Sequence, residues 1–380
     1  MRRLVLLGGG HAHLEVLRQA ARRRFDGGEI LVISPSAHSH YTGMIPGFIR
    51  GRYSEGALAF DIAALARAAG AVFCEGRAAE VAADGRSVTL EGGELVACDL
   101  VSADVGSVPA GRDSVSGVRE FTFGARPIAR ARALVSTLNA ALQDARERGS
   151  DAASACVVGG GAGGVEIVLA MRARAEHHGV RLPLALIDGG QELLSEFEPG
   201  MRQRAARVLA AREIDVRTGA DVTAVERTHV VLADGSRIAS TMTVWLTGAA
   251  PAKVTELSAL PRDPAGFWQV DGTLRSTGGA PVWGAGDCVS LLDHPWVPKA
   301  GVYAVRQAPV LAVNLRAALE RGATAATRVY SPQRKYLALL DTADGRALMR
   351  WRGQVLHGRA PLWLKHFIDA RFVRRYATRA

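Results

Sequence analysis

Two glycine clusters in this 380-residue chain have the residue types and spacing that bind phosphate groups. Residues 4–17 read LVLLGGGHAHLEVL, and residues 156–169 read CVVGGGAGGVEIVL. Each segment is a short apolar run, a glycine cluster and a helix-like stretch with a glutamate. A strand that turns sharply into a helix needs glycine at the turn, and the free N–H groups of the helix bind phosphate oxygens. The repeated pattern therefore predicts two sites for the pyrophosphate of a dinucleotide.

The second cluster carries the complete pattern GxGxxG, with its glycines at Gly159, Gly161 and Gly164. A further apolar strand, 184–187, ends at Asp188, which lies 24 residues beyond Gly164. An acid near this spacing accepts hydrogen bonds from the adenosine ribose. Because two glycines and no arginine directly follow Asp188, the sequence favours NADH over NADPH. A simple glycine turn that binds no ligand does not require a strand before it, a helix after it and an acid beyond. The presence of all three therefore favours a cofactor site.

The first cluster is less regular. Gly8 and Gly10 hold the first two positions of the pattern, but His13 stands where the third small residue is expected. The next predicted strand ends in Ser34-Pro35 and not in an acid. His11 and His13 are either ligands or acid–base groups, or polar residues in the first turn of a phosphate-binding helix. The sequence has no Cys, His and acid cluster there that would predict a metal site.

A third glycine-rich segment, VWGAGDCV, lies far downstream at residues 282–289. A short predicted strand ends there in a turn that contains Gly286 and Asp287. The carboxylate of Asp287 could hydrogen-bond a ribityl hydroxyl or a water that bridges phosphates. The alternative is an ordinary turn in which this side chain binds the neighbouring backbone.

Composition indicates a folded protein of two or three domains. Hydrophobic residues make up 48% of the chain and charged residues 22%. The formal net charge is +10, of which residues 346–380 contribute +8 through nine basic residues and one acid. Because the basicity belongs to a tail, a general nucleic-acid binder is disfavoured. No apolar run is long enough to span a bilayer, and the N-terminal apolar stretch is interpreted as a strand and not as a signal peptide. The four scattered cysteines favour a reduced, cytoplasmic setting.

Taken in order, the segments GGGHAHLE, GGGAGGVE, WLTGAAP and WGAGDC resemble the two-dinucleotide-domain flavoproteins of the pyridine nucleotide–disulfide oxidoreductase superfamily. The resemblance covers about residues 1–325 and is closest to the type II NADH dehydrogenase-like branch. Within that branch, the segments 31–53, 301–315 and 363–372 resemble flavoprotein domains found next to, or fused to, selenophosphate synthetase. The order of the motifs is an FAD motif, an NAD motif and a return to the FAD domain.

The resemblance implies an α/β fold with two doubly wound, Rossmann-like dinucleotide-binding domains. Residues 1–115 and 270–325 would form a discontinuous FAD-binding domain, and residues 116–269 an NAD(H)-binding domain. Residues 326–380 would form a small basic C-terminal extension.

The resemblance also assigns cofactor contacts residue by residue. Ser34 replaces the usual ribose-binding acid, and Val105 replaces a threonine. A helix that starts near Lys299 would direct its N-terminus at the flavin and stabilise negative charge on the reduced ring. The residues assigned to FAD are Gly8, Gly10, His11, Ala12, His13, Ser34, Pro35, Met44, Pro46, Ala78, Val105, Gly106, Gly286, Asp287, Lys299, Ala300 and Gly301. Those assigned to NAD are Gly159, Gly161, Ala162, Gly163, Gly164, Glu166, Asp188 and Gly248.

Missing cysteines narrow the implied chemistry. Disulfide reductases of this superfamily place a CxxxxC pair against the flavin, but residues 38–55 contain no cysteine. Electrons would therefore leave the flavin directly, with a quinone as the first expected acceptor. Cys288 is either a sulfur or selenium relay or a small buried hydrophobe. Tyr303, Arg306 and Gln307 either orient the acceptor or pack between domains.

The basic tail allows two interpretations. Residues 327–332 and 335–342 are predicted strands, with a turn at Asp344-Gly345, and Pro361 is predicted in the first turn of a helix. Trp363, Leu364, Phe367 and Ile368 would share one face of this helix, opposite Lys365, His366 and Asp369. The aromatic face would either contact the inner surface of a membrane or pack on the protein body or on a second copy.

Three functions follow from these observations. The first is an FAD-dependent NADH dehydrogenase-like enzyme that passes hydride from NADH to FAD and then to a quinone or another small acceptor. The second is a soluble NADH-dependent reductase in selenium or sulfur metabolism. The third is a non-catalytic module that binds FAD or NADH and signals or scaffolds, with selenophosphate synthetase as a candidate partner.

Overall fold

In the computed structural model the chain is described over residues 1–148, 153–325 and 328–377. It is a mixed α/β protein with two five-stranded parallel sheets, and the fold class predicted from the sequence is confirmed. The helices are α1 (His11–Arg22), α2 (Ile45–Arg50), α3 (Ile62–Ala69), α4 (Val118–Phe121), α5 (Ile128–Arg148), α6 (Ala162–His177), α7 (Pro199–Ala211), α8 (Lys253–Leu257), α9 (Gly301–Arg321) and α10 (Arg359–Tyr376). Short 3₁₀ turns cover Thr42–Met44, Glu55–Leu58 and Gly286–Cys288.

The strands alternate with helices in parts of the chain, whereas residues 72–109 and 214–250 each contain six consecutive strands with no helix between them. They are β1 (Arg2–Leu7), β2 (Gly28–Ser34), β3 (His38–His40), β4 (Ala59–Asp61), β5 (Val72–Glu75), β6 (Ala78–Val81), β7 (Ser87–Leu90), β8 (Leu95–Ala97), β9 (Leu100–Ala103), β10 (Val108–Pro109), β11 (Thr122–Phe123), β12 (Ala155–Val158), β13 (Leu184–Ile187), β14 (Ile214–Arg217), β15 (Val222–Val225), β16 (His229–Leu232), β17 (Arg237–Ala239), β18 (Met242–Trp245), β19 (Ala249–Ala250), β20 (Trp268–Val270), β21 (Val282–Gly284), β22 (Val289–Leu291), β23 (Ala338–Asp341), β24 (Ala347–Trp351) and β25 (Gln354–Gly358).

The two five-stranded parallel sheets share the order of four strands and differ at one edge, where β21 comes last in its sheet along the chain and β11 comes first. The first runs β21-β9-β1-β2-β5 and the second runs β11-β18-β12-β13-β14. In each sheet the strand before the glycine cluster lies in the centre, between the next strand and a strand that comes much later. Ligands of such sheets bind at the carboxyl ends of the strands, beside the point where the order reverses. Both glycine clusters stand at that point.

The central strands are buried on both faces, which explains their continuous apolar runs. The segment from Leu4 to Leu7 is at most 1% exposed, and α1 packs between α3 and α9 on the sheet that contains it. In sequence, the first sheet's strands β1, β2, β5 and β9 precede the strands of the second sheet, and its strand β21 follows them. The exact domain limits given above stay a prediction.

The C-terminal extension differs in part from expectation. Strands β23, β24 and β25 form an antiparallel sheet, and a turn that contains Gly345 joins β23 to β24 as predicted. The strand predicted at 327–332 is wrong for residues 328–332, and residue 327 lies outside the described residues. Both backbone groups of Arg328 are held by the side chain of Asn314, so they do not pair with a strand.

The faces of α10 are reversed relative to a simple amphipathic helix. Pro361 lies in its first turn, as predicted. Lys365 and Asp369 are buried against the body, whereas Trp363 is 68% exposed and Phe367 is 45% exposed. The polar face turns inward because it meets buried charged groups, which are described below.

Candidate functional site

The second glycine cluster forms the turn between β12 and α6. Gly159 has a positive φ of 120°, and a side chain there would overlap the carbonyl group of Leu246. Gly164 packs against the carbonyl of Gly159, which brings the helix onto the turn. At Gly161 and Gly163 a side chain would meet open space. The N-terminal N–H groups of α6 therefore face an open surface, the arrangement that receives a phosphate.

Two carboxylates stand beside this opening. Asp188, directly after β13, accepts hydrogen bonds from the backbone N–H groups of Gly160 and Gly190, the latter at 2.8 Å. The carboxylate of Asp221 fills the space that a side chain on Gly189 would need. Negative charge at this strand end attracts ribose hydroxyl donors and repels an added phosphate.

The other residues assigned to NAD have different surroundings. Ala162 opens α6, next to the free N–H groups. The carbonyl of Gly248 accepts a 2.6 Å hydrogen bond from the N–H of Ala110. The side chain of Glu166 is buried and accepts a 2.8 Å hydrogen bond from the N–H of Asp341, so it faces the C-terminal extension.

At the first glycine cluster, a buried carboxylate lies in front of α1. Asp104 comes directly after β9 and is 4% exposed. Its Oδ2 accepts hydrogen bonds from the N–H groups of Ala12 at 2.7 Å and His13 at 3.1 Å. Side chains at Gly8 or Gly10 would collide with the carbonyl or the carboxylate of Asp104. The sequence reasoning missed Asp104, although an acid after the apolar run of β9 was the available signal.

His13 is a structural residue of this turn. It is fully buried; its Nδ1 lies 2.7 Å from the carbonyl oxygen of Gly8 and its Nε2 lies 2.9 Å from Oγ of Ser102. A carbonyl only accepts, so Nδ1 carries the proton and Nε2 accepts from the serine. Burial lowers the pKa of His13 to about 4, and the neutral ring spans from α1 to β9. This geometry favours the interpretation of His13 as a polar residue in the first turn of the helix over an acid–base role.

The N-terminus of α9 approaches the N-terminus of α1. A side chain on Gly301 would stand 3.6 Å from Nδ1 of His11. Desolvation lowers the pKa of His11 to about 4, with a smaller contribution from Arg126. Lys299 is largely buried; it donates to the carbonyl of Val289 and caps the adjacent strand. Two helix N-termini thus present partial positive charge to one region, which fits an anionic cofactor.

The turn at residues 286–288 closes the same region. Gly286 has a positive φ of 74° and its N–H donates to Oε1 of Gln307 at 2.7 Å. A side chain on Gly286 would stand 2.8 Å from Oδ1 of Asp104. The carboxylate of Asp287 is only 14% exposed and accepts a 3.4 Å hydrogen bond from Ser107. The structure therefore brings the first and third glycine segments together around Asp104.

The four candidate acceptor-side residues have mostly structural surroundings. Cys288 is buried, and burial raises the pKa of its thiol to about 12, which disfavours a thiolate relay. Tyr303 donates a 3.2 Å hydrogen bond to the carbonyl of Gln333, and Gln307 holds the turn at Gly286. Arg306 is exposed.

The remaining residues assigned to FAD lie near the edge of the first sheet. Ser34 is buried at the end of β2, and Pro35 follows it on the surface. Ala78 opens β6. Val105 follows Asp104, and Gly106 then turns the chain with a φ of 72°.

The segment after β3 lies under α10. Met44 and Pro46 are buried there. The ring of Tyr41 lies 5.6 Å from the ring of His11 and 4.6 Å from the ring of Phe372. The C-terminal helix therefore covers the segment that contains Met44 and Pro46, two of the residues assigned to FAD.

A buried charged cluster joins α10 to the rest of the protein. Nζ of Lys365 lies 3.6 Å from Glu166 and 3.5 Å from Asp369, and it donates to the carbonyl of Gly43 at 3.2 Å. Burial raises the pKa of Glu166 to about 7, and it also raises that of Asp369. Burial alone lowers the pKa of Lys365, but attraction to the two carboxylates outweighs this effect and the pKa rises. Sequence reasoning missed this cluster because its members are far apart in the chain.

Two five-stranded parallel sheets, each with a glycine turn between its central strand and a helix N-terminus, define the architecture of a two-dinucleotide oxidoreductase. A family model described as pyridine nucleotide-disulphide oxidoreductase matches residues 2–312. The chain belongs to this family.

Individual relatives agree with this assignment. An NADH dehydrogenase-like protein of Mycobacterium tuberculosis is 29% identical over 296 residues, which cover 76% of this chain and 72% of that protein. Demethylphylloquinone reductase of Synechocystis is 25% identical over 379 residues, which cover 96% of this chain and 91% of that protein. The sulfide:quinone oxidoreductase structure of Aquifex aeolicus superposes with a TM-score of 0.80 at 16% identity, covering 99% of this chain and 91% of that one. The predicted class, an FAD-dependent NAD(P)H oxidoreductase, is confirmed.

Two further features concern a metal site and the membrane. In the described ranges 1–148, 153–325 and 328–377, no three His, Cys, Asp or Glu residues are grouped so as to hold a metal ion. Within the same ranges, none of the helices has both the length and the apolar character needed to cross a membrane.

Proposed function

We propose that this protein is an FAD-dependent NADH dehydrogenase that delivers electrons to a quinone. The observation that carries the proposal is the pair of equivalent glycine turns, one at Gly8 and one at Gly159, each directly after the central strand of a five-stranded parallel sheet. FAD, when bound, supplies a two-electron carrier that takes hydride from the nicotinamide and passes electrons on. Two of the relatives named above are described as acting on quinones, which favours a quinone as the acceptor here.

The chain's own residues would bind and position both cofactors. The N-termini of α1 and α9, with the turn at Gly286-Asp287, would hold FAD. The N-terminus of α6 would hold the pyrophosphate of the nicotinamide cofactor, and Asp188 its ribose. Positioning of this kind supplies most of the rate in a hydride transfer between two bound rings, because no protein nucleophile is needed.

NADH is the proposed donor in preference to NADPH. The carboxylates of Asp188 and Asp221 stand together at the ribose end of the site. The nearest strand-end arginine, Arg217, already pairs with Asp215 at 3.0 Å. A 2′-phosphate would therefore meet negative charge that no free guanidinium of this strand end compensates.

The direct test is a visible spectrum of the purified protein, followed by anaerobic titration with NADH or NADPH. We expect flavin absorption bands that bleach with one equivalent of NADH, more slowly with NADPH, and return when a soluble quinone is added. Flavin bands that NADH does not bleach would contradict the dehydrogenase and support a binding module. Return of the bands with selenium or sulfur compounds and not with quinone would contradict the quinone as acceptor.

The selenium or sulfur reductase stays a second candidate only through the resemblance to domains associated with selenophosphate synthetase. A relay through Cys288 would need an accessible thiolate. Because this thiol is buried and its pKa is raised to about 12, a quinone acceptor is preferred over a relay through Cys288.

We further propose that the enzyme works in the cytoplasm, bound to the inner face of the membrane. Support comes from the exposed surface of α10, where the rings of Trp363 and Phe367 stack at 5.6 Å. Exposed Trp351 and Leu356 lie on β24 and β25, the strands that α10 packs against. Aromatic rings beside arginines suit the interface of an anionic bilayer.

Membrane contact can be tested by changing this pair of rings. The double variant Trp363→Ala/Phe367→Ala is expected to lose most of its cosedimentation with vesicles that contain anionic lipid, because both rings lie on the surface. Leu95→Ala, which removes another side chain that is 66% exposed, is the matched control and should bind as the unaltered protein does. Equal binding by the double variant and the control would contradict the assignment of this surface.

A further inference from the structure

The carboxylate of Asp104 occupies the phosphate-binding end of α1. It accepts the N–H groups of Ala12 and His13, which are among the orphan donors that a helix N-terminus offers to a phosphate. Three glycines of the FAD motifs, Gly8, Gly10 and Gly286, make room for this residue, since a side chain at any of them would collide with it. The glycines predicted to admit a pyrophosphate thus already admit an acid of the chain itself.

The second dinucleotide unit provides an internal comparison. Asp104 donates its N–H to the carbonyl of Leu7 at 2.9 Å, just as Leu246 donates its N–H to the carbonyl of Val158 at 2.8 Å. Both residues follow the strand that pairs in parallel with the strand before the glycine turn. The equivalent of Asp104 is therefore Leu246, an apolar residue, and the end of α6 carries no such carboxylate. The acid is a feature of the first unit and not of the fold.

The groups around Asp104 are neutral or negatively charged, except for two cations that have other partners. On α1, His13 is neutral because burial lowers its pKa to about 4, and the pKa of His11 is lowered to about 4 as well. On the 286–288 turn, the carboxylate of Asp287 repels Asp104, and the buried thiol of Cys288 is neutral.

On the elements beside that turn, Gln307 of α9 is uncharged. Lys299 is tied to the carbonyl of Val289, and Arg126, which is half exposed, lies 3.7 Å from Asp287. Burial raises the pKa of Asp104 to about 7, although its two backbone hydrogen bonds oppose the shift.

We propose that Asp104 carries a proton whenever the pyrophosphate of FAD is bound at α1, so that FAD binding takes up one proton from solvent. The proposal rests on the proposed function, which supplies FAD as the ligand. Two anions cannot share one pair of N–H groups without strong repulsion, because the helix end compensates only about half a charge. A protonated carboxyl removes that repulsion and can donate its own hydrogen bond to the phosphate.

Linkage fixes the sign of the effect. Above about pH 7 the free protein holds an ionised Asp104, and binding must add a proton, so the affinity for FAD falls as the pH rises. Below about pH 7 the carboxyl is already neutral, and the affinity is independent of pH. Uptake of one proton predicts a Kd that increases about tenfold for each pH unit above this point.

The test measures FAD binding to the protein freed of flavin, by fluorescence and by calorimetry in buffers of different ionisation enthalpy between pH 6 and 9. We expect about one proton taken up per FAD at pH 8 in the unaltered protein and about none in Asp104→Asn. The asparagine keeps an acceptor for the two N–H groups and has a permanent donor, so its Kd should be flat with pH. Asp287→Asn should shift the Kd but keep the slope.

The outcomes separate the two proposals. A Kd that does not change with pH in the unaltered protein, or an unchanged slope in Asp104→Asn, would overturn the role of Asp104 while leaving FAD as the cofactor. Failure of both proteins to bind FAD even at pH 6 would overturn the proposed function itself. Thermal unfolding of the flavin-free proteins checks the fold. Asp104→Asn should be more stable than the unaltered protein, and by a larger margin at pH 8 than at pH 5. The reason is that the buried Asp104 is ionised in the folded protein above about pH 7, which destabilises the unaltered protein.

Discussion

Gly161→Val is expected to lower kcat/KM for NADH by about a hundredfold while the FAD content stays unchanged. A side chain at Gly161 meets open space within the protein, and the backbone there is extended (φ −71°, ψ −179°), which valine adopts easily. The added methyl groups instead stand in front of α6, where the pyrophosphate must approach the N–H groups. Loss of one or two charge-assisted hydrogen bonds, about 1.5–3 kcal/mol each, accounts for this magnitude.

The design includes a matched control and a contrast. Gly56→Val adds the same groups at another glycine whose side-chain position is open, and it should leave NADH kinetics unchanged. Gly164→Val would instead press on the carbonyl of Gly159 and should destabilise the whole protein. Unchanged NADH kinetics in Gly161→Val, or equal loss of FAD and NADH binding, would show that α6 does not hold the nicotinamide cofactor.

Patterns within one strand–turn–helix unit were predictable from the sequence. The strand before Gly159, the helix after it and the acid at Asp188 all lie within about thirty residues, and each follows from local periodicity or backbone geometry. The structure also confirms the equivalence of the two units, since Gly8 and Gly159 both follow the central strand of a five-stranded parallel sheet. Local rules suffice where the constraint is the turn itself.

Contacts across the sheet were not predictable in this way. Asp104 reaches α1 only because β9 pairs in parallel with β1, with Leu7 opposite Ala103, and no local pattern states that register. His13 looked like a broken motif, yet it fills the third position by hydrogen-bonding the carbonyl of Gly8. In both cases a polar side chain replaces a small or apolar residue. Asp104 is satisfied by backbone N–H groups distant in sequence, and His13 by the nearby carbonyl of Gly8 and the distant hydroxyl of Ser102.

The orientation of α10 could not be decided from the sequence, which allowed its aromatic face either to contact a membrane or to pack on the protein body. Amphipathic rules turn Trp363 and Phe367 inward and Lys365 outward. The protein does the opposite. Lys365 turns inward because the buried carboxylates of Glu166 and Asp369 require a counter-charge, and the two aromatic rings then lie on the surface. A buried carboxylate elsewhere in the chain thus decides which face of a helix docks, and no window of local sequence contains that information.

Lys365→Met is accordingly expected to cost about 3–5 kcal/mol of unfolding free energy at pH 8. Methionine fills much of the same volume but leaves Glu166 and Asp369 buried without a counter-charge. Both carboxyl groups then have folded-state pKa values above their unfolded values, so the variant is least stable at high pH. Its deficit should shrink as the pH falls from above 7 towards about 4, because both groups take up protons in the folded state well before they do so in the unfolded chain. Chemical denaturation at pH 8 and pH 4.5 measures the difference.

Two further variants make this test specific to the cluster. Lys335→Met removes an exposed lysine and should change the unfolding free energy by less than about 0.5 kcal/mol at either pH. Adding Glu166→Gln and Asp369→Asn to Lys365→Met should recover much of the loss, since no buried charge then lacks a partner. Because Lys365 also holds the carbonyl of Gly43, the single variant should loosen α10 from the segment at Tyr41. A single variant as stable as the unaltered protein at pH 8 would mean that solvent reaches these carboxylates, and that α10 is held by its apolar contacts alone.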